Sequence, residues 1–426
     1  MQPKLFGNWS KYYLYYVLIL IFCGVFILYN KHDVGNDSSL SDWLINYSGG
    51  FVRRGLIGQI ALEFSYFFSI KLRDTIVIFQ IISFTAYYVL VFFLLRRVIT
   101  NRILILAVFS PIFILFPISE IEAFGRKETF IFLIITLYFF TNVRDIKTQL
   151  IFKLIIFPIS ILIWEPVIFF YPYIMLIDLV VFNSNKFDKK LIWLFLSYLV
   201  IFLVTIFIYL NPVSSESFNT MKNVLMSDFG ENCYMSCSFV GNQSQNSYIE
   251  LVYLNSEVLK PSHIIRYILI ILIGFYPLFN LLKISRLSNT KLFFFSNYKS
   301  LLFPFIFAFI PSIFLYAPMY DWGRIVHISY TFMLLSYVFL LKNNLIKIDQ
   351  ERLVKNIFEN LSNKIFFILF IIFCLGWNQK TVMTADITTN SFYKIIYNSS
   401  KKIFGFNGIR LFEDSPIIKF HKKYIE

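Results

Sequence analysis

The sequence predicts an all-α, polytopic integral membrane protein, and three observations carry that reading. The 426-residue chain is 58% hydrophobic and 15% charged, with a mean hydropathy of +0.67. Soluble domains run nearer half apolar and a quarter charged. Apolar runs of bilayer-crossing length recur from end to end. They are continuous rather than alternating, which argues against a β-barrel. The length therefore suggests one multi-span membrane domain over 1–377, followed by a polar amphipathic tail over 378–426.

Helices are expected at 12–30, 75–95, 103–118, 129–142, 150–164, 167–182, 191–211, 264–282, 301–317, 325–341 and 365–377, about 11 spans. The first run is long and no small-residue cleavage site follows it, so it reads as a retained helix and not a signal peptide. Residues 56–72 read as an interfacial helix that returns the chain to the membrane. The third to sixth spans are short. Fifteen residues cover roughly 23 Å of a core about 30 Å thick, which suits half-helices or helices dipping into a cavity. The apolar run around Trp164-Glu165-Pro166 is too long for one ordinary span, and a glutamate before a proline suits a break there.

Loop charges orient the spans. With the break, loops 183–190, 283–299 and 342–364 face the cytoplasm and carry twelve basic residues, Lys186, Lys291 and Lys299 among them. The opposite loops 212–262 and 318–324 carry three: Lys222, Lys260 and Arg324. Without the break the bias reverses. The net charge of +14 is thus assigned to cytoplasmic lysines, and no nucleic-acid motif accompanies it. The outer loops are then about 31–74, 119–128, 212–262 and 318–324. The last span is short and the tail holds eight basic residues, so the side of the tail hangs on whether that span crosses.

The chemistry-bearing residues gather in those outer loops. In NYSGGFVRRGLIGQ (46–59), Arg53 and Arg54 lie among four glycines. Guanidinium forks match phosphate or carboxylate, and glycines let backbone N–H groups approach a ligand. The bland alternative is arginines that snorkel to lipid headgroups. In SEIEAFGRKE (119–128), Glu120, Glu122, Arg126, Lys127 and Glu128 must pair, meet water or line a cavity. On a helix, Glu122 and Arg126 would pair at i,i+4. Glu165 interrupts an uncharged stretch, and burial would suit it to accepting a proton. It could equally cap the bend. MYDWGR (319–324) adds Asp321, Arg324 and a candidate sugar-stacking Trp322. Asp321 and Arg324 could also simply pair with each other. Asp33, Asp37 and Asp42 are loosely spaced acids in the first loop, Asp42 being nearest the arginine pair. Cys233 and Cys237 share a polar loop, where a disulfide is plausible and a zinc site is not. No metal site and no cofactor are expected.

Three or more arginines and several carboxylates beside lipid fit a polyprenyl-linked pyrophosphate. Arginines would stabilise the departing pyrophosphate while a carboxylate deprotonates the attacking sugar hydroxyl. SGGFVRRGLIG (48–58), EAFGRKE (122–128), Trp164-Glu165-Pro166 and YDWGR (320–324), in a chain of many spans with polar outer loops, resemble bacterial O-antigen polymerases of the Wzy type. The resemblance implies metal-independent transfer of a glycan between undecaprenyl-pyrophosphate carriers in the bacterial cytoplasmic (inner) membrane. It implies Arg53, Arg54 and Arg324 as pyrophosphate or glycan contacts; from their own place in the outer loops, Arg126, Lys127 and Trp322 are further binding candidates. Glu165, Asp42, Glu122 and Asp321 are the catalytic candidates. The implied partners are the lipid-linked glycan, membrane lipid and a candidate chain-length regulator protein, with no nucleic acid. A charged first outer loop also resembles membrane-embedded glycosyltransferases that use polyprenyl-phosphate sugars and a first-loop aspartate, here Asp42 or Asp37. A flippase is the alternative from another class. It should place charges through the middle of several helices.

Overall fold

The computed structural model describes residues 3–32, 37–142, 144–182, 189–241, 247–288, 300–385 and 391–404. Asp33, Lys186, Lys291, Lys299 and the tail beyond 404 lie outside the described residues. Among the described residues, seven helices are long and apolar enough to cross a membrane: Trp9–Lys31, Leu72–Leu95, Ile146–Ile163, Glu165–Phe182, Lys189–Leu210, Pro261–Ile284 and Trp322–Lys342. Leu56–Phe68, Glu128–Phe140, Leu302–Tyr316 and Asn363–Leu375 are apolar and shorter. The protein is thus an all-α multi-pass membrane protein with several short or broken helices.

One expected span is divided. Over 103–118 the chain forms Arg102–Val108, a run of turns, and Leu115–Ser119. Asn101 caps the first piece, its side chain accepting from Leu104 N at 2.8 Å. Pro111 has no N–H to donate and disfavours helix at Ser110, so the ladder stops. The segment is buried almost throughout, which is why composition alone resembled a span.

The chain divides into two compact units. The first comprises Met1–Ile27, Phe92–Ala123 and Leu254–Glu426. Its central helix, Trp322–Lys342, is buried along nearly its whole length. A small antiparallel ladder pairs Ser285–Leu287 with Ile346–Ile348, with Arg286 opposite Lys347. At the other end of the central helix, residues 378–385 dock on the turn before it. Gly323 N donates to Thr381 O at 3.0 Å and Met383 N to Tyr320 O at 3.0 Å. A Cβ on Gly323 would stand 1.9 Å from Lys380 O, so only glycine admits this approach. Helix Asn363–Leu375 therefore carries the chain from the 342–362 end to the 319–324 end, and the start of the tail shares the end that holds Asp321.

The second unit comprises Leu28–Val91 and Phe124–Tyr253. Lys189–Leu210 presents a continuous apolar stripe outward, including Ile192, Leu196, Leu199, Leu203 and Phe207. That stripe suits contact with lipid. Helix Ile146–Ile163 ends where Trp164 turns extended, and Glu165–Phe170 follows as a 3-10 turn with Pro166 in its first turn. The break thus falls at Trp164-Glu165-Pro166. The polar loop of this unit folds as helices Ser215–Phe229 and Ser236–Gly241, with a disulfide between Cys233 and Cys237. Arg73 grips Glu231 with two bonds, Nε to Oε1 at 2.8 Å and Nη2 to Oε2 at 2.7 Å, which ties this loop to the start of Leu72–Leu95.

Candidate functional site

The arginine loop of the second unit is built from its own turns. Asn46 accepts from Ser48 N at 2.9 Å and donates to Leu44 O at 2.9 Å, which turns the chain after helix Ser38–Trp43. Gly50 lies at φ 115°, and its N–H donates to Tyr47 O at 2.9 Å. A second turn closes from Gly55 N to Val52 O at 3.0 Å, and helix Leu56–Phe68 begins there. The expected role of the glycines changes here. A Cβ on Gly49 would meet Ser217 O at 1.9 Å and one on Gly58 would meet Ile45 O at 1.9 Å. These glycines let chain approach chain, so they shape the loop and do not themselves face a ligand.

Arg54 occupies the left-handed region at φ 63°, which is costly for a residue with a Cβ. The surroundings hold it there. Lys127 Nζ, buried, donates to Arg54 O at 2.5 Å. The Arg54 side chain meets Glu165 as a two-toothed fork, with Nε at 2.7 Å from Oε2 and Nη2 at 2.8 Å from Oε1. Arg53 reaches the same carboxylate through Nη1 at 3.5 Å. Its Nε is buried and meets no acceptor. Two guanidiniums therefore share one carboxylate. Burial pushes Arg53 down to about 10, against the pull of Glu165. Burial likewise pushes Lys127 down to about 8, against the pull of Asp42.

The other first-loop and 119–128 residues fall around this core. Asp42 is buried at the end of helix Ser38–Trp43, where its charge acts on Lys127. Trp43 Nε1 and Gln80 Nε2 both donate to Gly125 O, at 2.8 and 2.7 Å, which fixes the chain just before Lys127. Arg126 donates to Ser38 Oγ at 3.3 Å. The i,i+4 pair expected of Glu122 and Arg126 loses its premise, because the chain between Ser119 and Glu128 forms the 3-10 turn Ile121–Ala123 followed by turns, not an α-helix. Asp37 caps helix Ser38–Trp43. Against the cost of burial, Lys31 and the cap bonds hold its carboxyl below the ordinary range.

Three expectations change with this geometry. Glu165 is not a lone carboxylate; the guanidiniums of Arg54 and Arg53 both meet it. Lys127 bonds to protein backbone and props Arg54, which differs from an open ligand contact. In the first unit, Trp322 is buried against Tyr267 and Tyr316, its Nε1 donating to Tyr316 O at 2.8 Å, so it packs instead of offering an open stacking face. Asp321 pairs with Arg324, three residues on, at 2.5 Å. Glu122 is exposed, and its charge acts on Lys380. Glu120 is a buried carboxylate of this unit, and it meets Lys394, Lys380 at 3.6 Å and Asn378 Nδ2 at 3.3 Å.

Two residues escaped the sequence reading. Lys153 and Asp178 form an ion pair at 3.1 Å inside the second unit, with side chains 0% and 2% exposed. The available signal was one charge of each sign in adjacent apolar runs. Among the described residues, no group of three or more His, Cys, Asp and Glu side chains could hold a metal ion. No protein-family model, curated protein or solved structure matches the chain.

Proposed function

We propose that the Arg53–Arg54–Glu165 site binds the diphosphate of a polyprenyl-linked glycan, and that the protein polymerises such glycans into surface polysaccharide by glycosyl transfer. The supporting observation is the two-to-one ratio of guanidinium to carboxylate. Arg54 is committed to Glu165, whereas Arg53 touches it only at 3.5 Å and keeps a buried Nε without an acceptor. A group with one excess positive charge and idle donors suits an anion. A departing diphosphate gains charge as the glycosidic bond breaks, so donors already in place stabilise the transition state more than the ground state. Glu165 in this scheme holds the arginines in register, and Asp42, buried beside Lys127, is the carboxylate left to take the proton of the attacking hydroxyl.

The reading places the protein in the bacterial cytoplasmic membrane with this site facing outward. A polyprenyl-phosphate-sugar transferase would use the same clamp on a monophosphate. A flippase is the second reading, and one observation favours it: the Lys153–Asp178 pair puts charge within two spans.

The test is a gel of surface polysaccharide from a strain lacking the gene, complemented with wild type or Arg53→Ala at equal abundance. Wild type should restore a ladder, and Arg53→Ala should leave core plus a single repeat unit. Loss of even the single repeat would point to an earlier glycosyltransferase or to the flippase. An unchanged ladder in the deletion strain would reject polysaccharide assembly.

A further inference from the structure

Lys153 and Asp178 stand on the two helices that meet at Glu165, each about a dozen residues from it. At about 1.5 Å per residue they lie roughly 20 Å from the break, at matching depth on the two arms of one hairpin. The pair is fully enclosed. Lys153 Nζ also donates to Gln149 Oε1 at 3.0 Å, and Tyr138 OH donates to that same oxygen. Tyr198 OH donates to Asp178 Oδ2 at 2.7 Å. Four helices, carrying residues 138, 149–153, 178 and 198, thus converge on one polar knot.

Lys153 turns inward from a helix whose other face is apolar and exposed at Ile151, Leu154, Ile155 and Ile159. It lies in a π turn, Phe152–Ile156, where Phe157 N bonds back to Phe152 O. Such turns are uncommon and gather at functional positions. Ionisable groups within spans are costly and call for a reason. An apolar pair of similar volume would hold two helices together at less cost; an ion pair adds a single permitted register. Register is what the hairpin needs, because its apex joins an extended Trp164 to a 3-10 turn, with few backbone bonds to set the angle.

We propose that Lys153 and Asp178 are positioning residues: their buried ion pair closes the hairpin whose apex is Glu165 and sets where Glu165 meets Arg53 and Arg54. The importance of that setting for activity rests on the anion-site reading above, but the geometric claim does not.

The experiment therefore measures geometry. Arg54→Cys and Glu165→Cys are combined, with Cys23 and Cys374 changed to Ala and the native disulfide kept. The pair is bridged in membranes by a short bifunctional methanethiosulfonate reagent and quantified by peptide mass spectrometry. Replacing both members of the site removes their own attraction, so the hairpin alone sets their proximity. Bridging should be efficient in this background. It should fall at least fivefold with Lys153→Met or Asp178→Asn, at equal protein abundance. The swap Lys153→Asp with Asp178→Lys should restore at least half. Unchanged bridging in both single variants would overturn the proposal. Loss without rescue by the swap would overturn it too, since that pattern marks general loosening of the helices. Neither result depends on whether the site binds a diphosphate.

Discussion

Two arginine-bearing turns in this protein look alike in sequence and differ in what they do. In the first unit, Arg324 folds back on Asp321 three residues away, one charge on one charge, at the start of a buried helix. The tail then docks across the same turn through Gly323 and Tyr320. In the second unit, Arg54 crosses 111 residues of sequence to Glu165, and Arg53 leans on the same carboxylate. The first arrangement is neutral within itself and serves as a latch. The second keeps a positive excess and holds Arg54 in a backbone conformation that its neighbours must enforce. Local pairing closes a charge account; long-range sharing leaves room for a ligand.

The comparison is most exposed to failure at Glu165. Glu165→Ala leaves two guanidiniums facing each other without their common anion. It should cost about 3 kcal/mol, the low end for breaking a buried pair, and abolish glycan assembly. Chemical unfolding of purified protein and the polysaccharide gel check the two halves. A variant as stable as wild type would mean that the arginines are held by something else.

Lys127 gives the next effect. Its folded-state pKa of about 8 lies below its ordinary value of 10.5. The folded state therefore binds its proton less well than the unfolded state. The penalty is full below about pH 8 and is relieved as pH rises toward 10.5. Stability should climb by about 2 kcal/mol between pH 8 and 9.5. Thermal unfolding at stepped pH should show a climb in wild type that is about 2 kcal/mol smaller in Lys127→Met, the rest coming from other buried lysines such as Lys394, which burial pushes down to about 7. Equal climbs in the two proteins would mean that Lys127 is hydrated.

The smallest effect belongs to the latch. Asp321→Asn removes one short-range, partly exposed pair and should cost about 0.5–1 kcal/mol, with glycan assembly retained. If assembly disappears at full abundance, the two turns are not different in kind, and Asp321 returns as a catalytic candidate.

How far the sequence carried the reading follows the same division. The long apolar helices and the break at Trp164 were legible, because hydropathy and proline act locally. The Asp321–Arg324 pair was open to the eye at i,i+3. The partnership of Arg54 with Glu165 was not, because nothing in either segment names the other. Glycines 49 and 58 were assigned to a ligand when they serve Ser217 and Ile45, contacts that exist only after folding. Pro111 broke an apolar run that its neighbours made look continuous. Lys153 and Asp178 are each a single charge in an apolar run with nothing local to mark them, and only their meeting in space gives them weight.

The most direct test is the binding of farnesyl diphosphate to the detergent-purified protein, measured by calorimetry on wild type and Arg53→Ala, with farnesol as the control lacking the anion. Loss of charge-assisted donors should weaken binding about tenfold or more. The account predicts binding by wild type, at least tenfold weaker binding by Arg53→Ala, and none of farnesol by either. Equal affinity in the two proteins, or no binding by wild type, would contradict it.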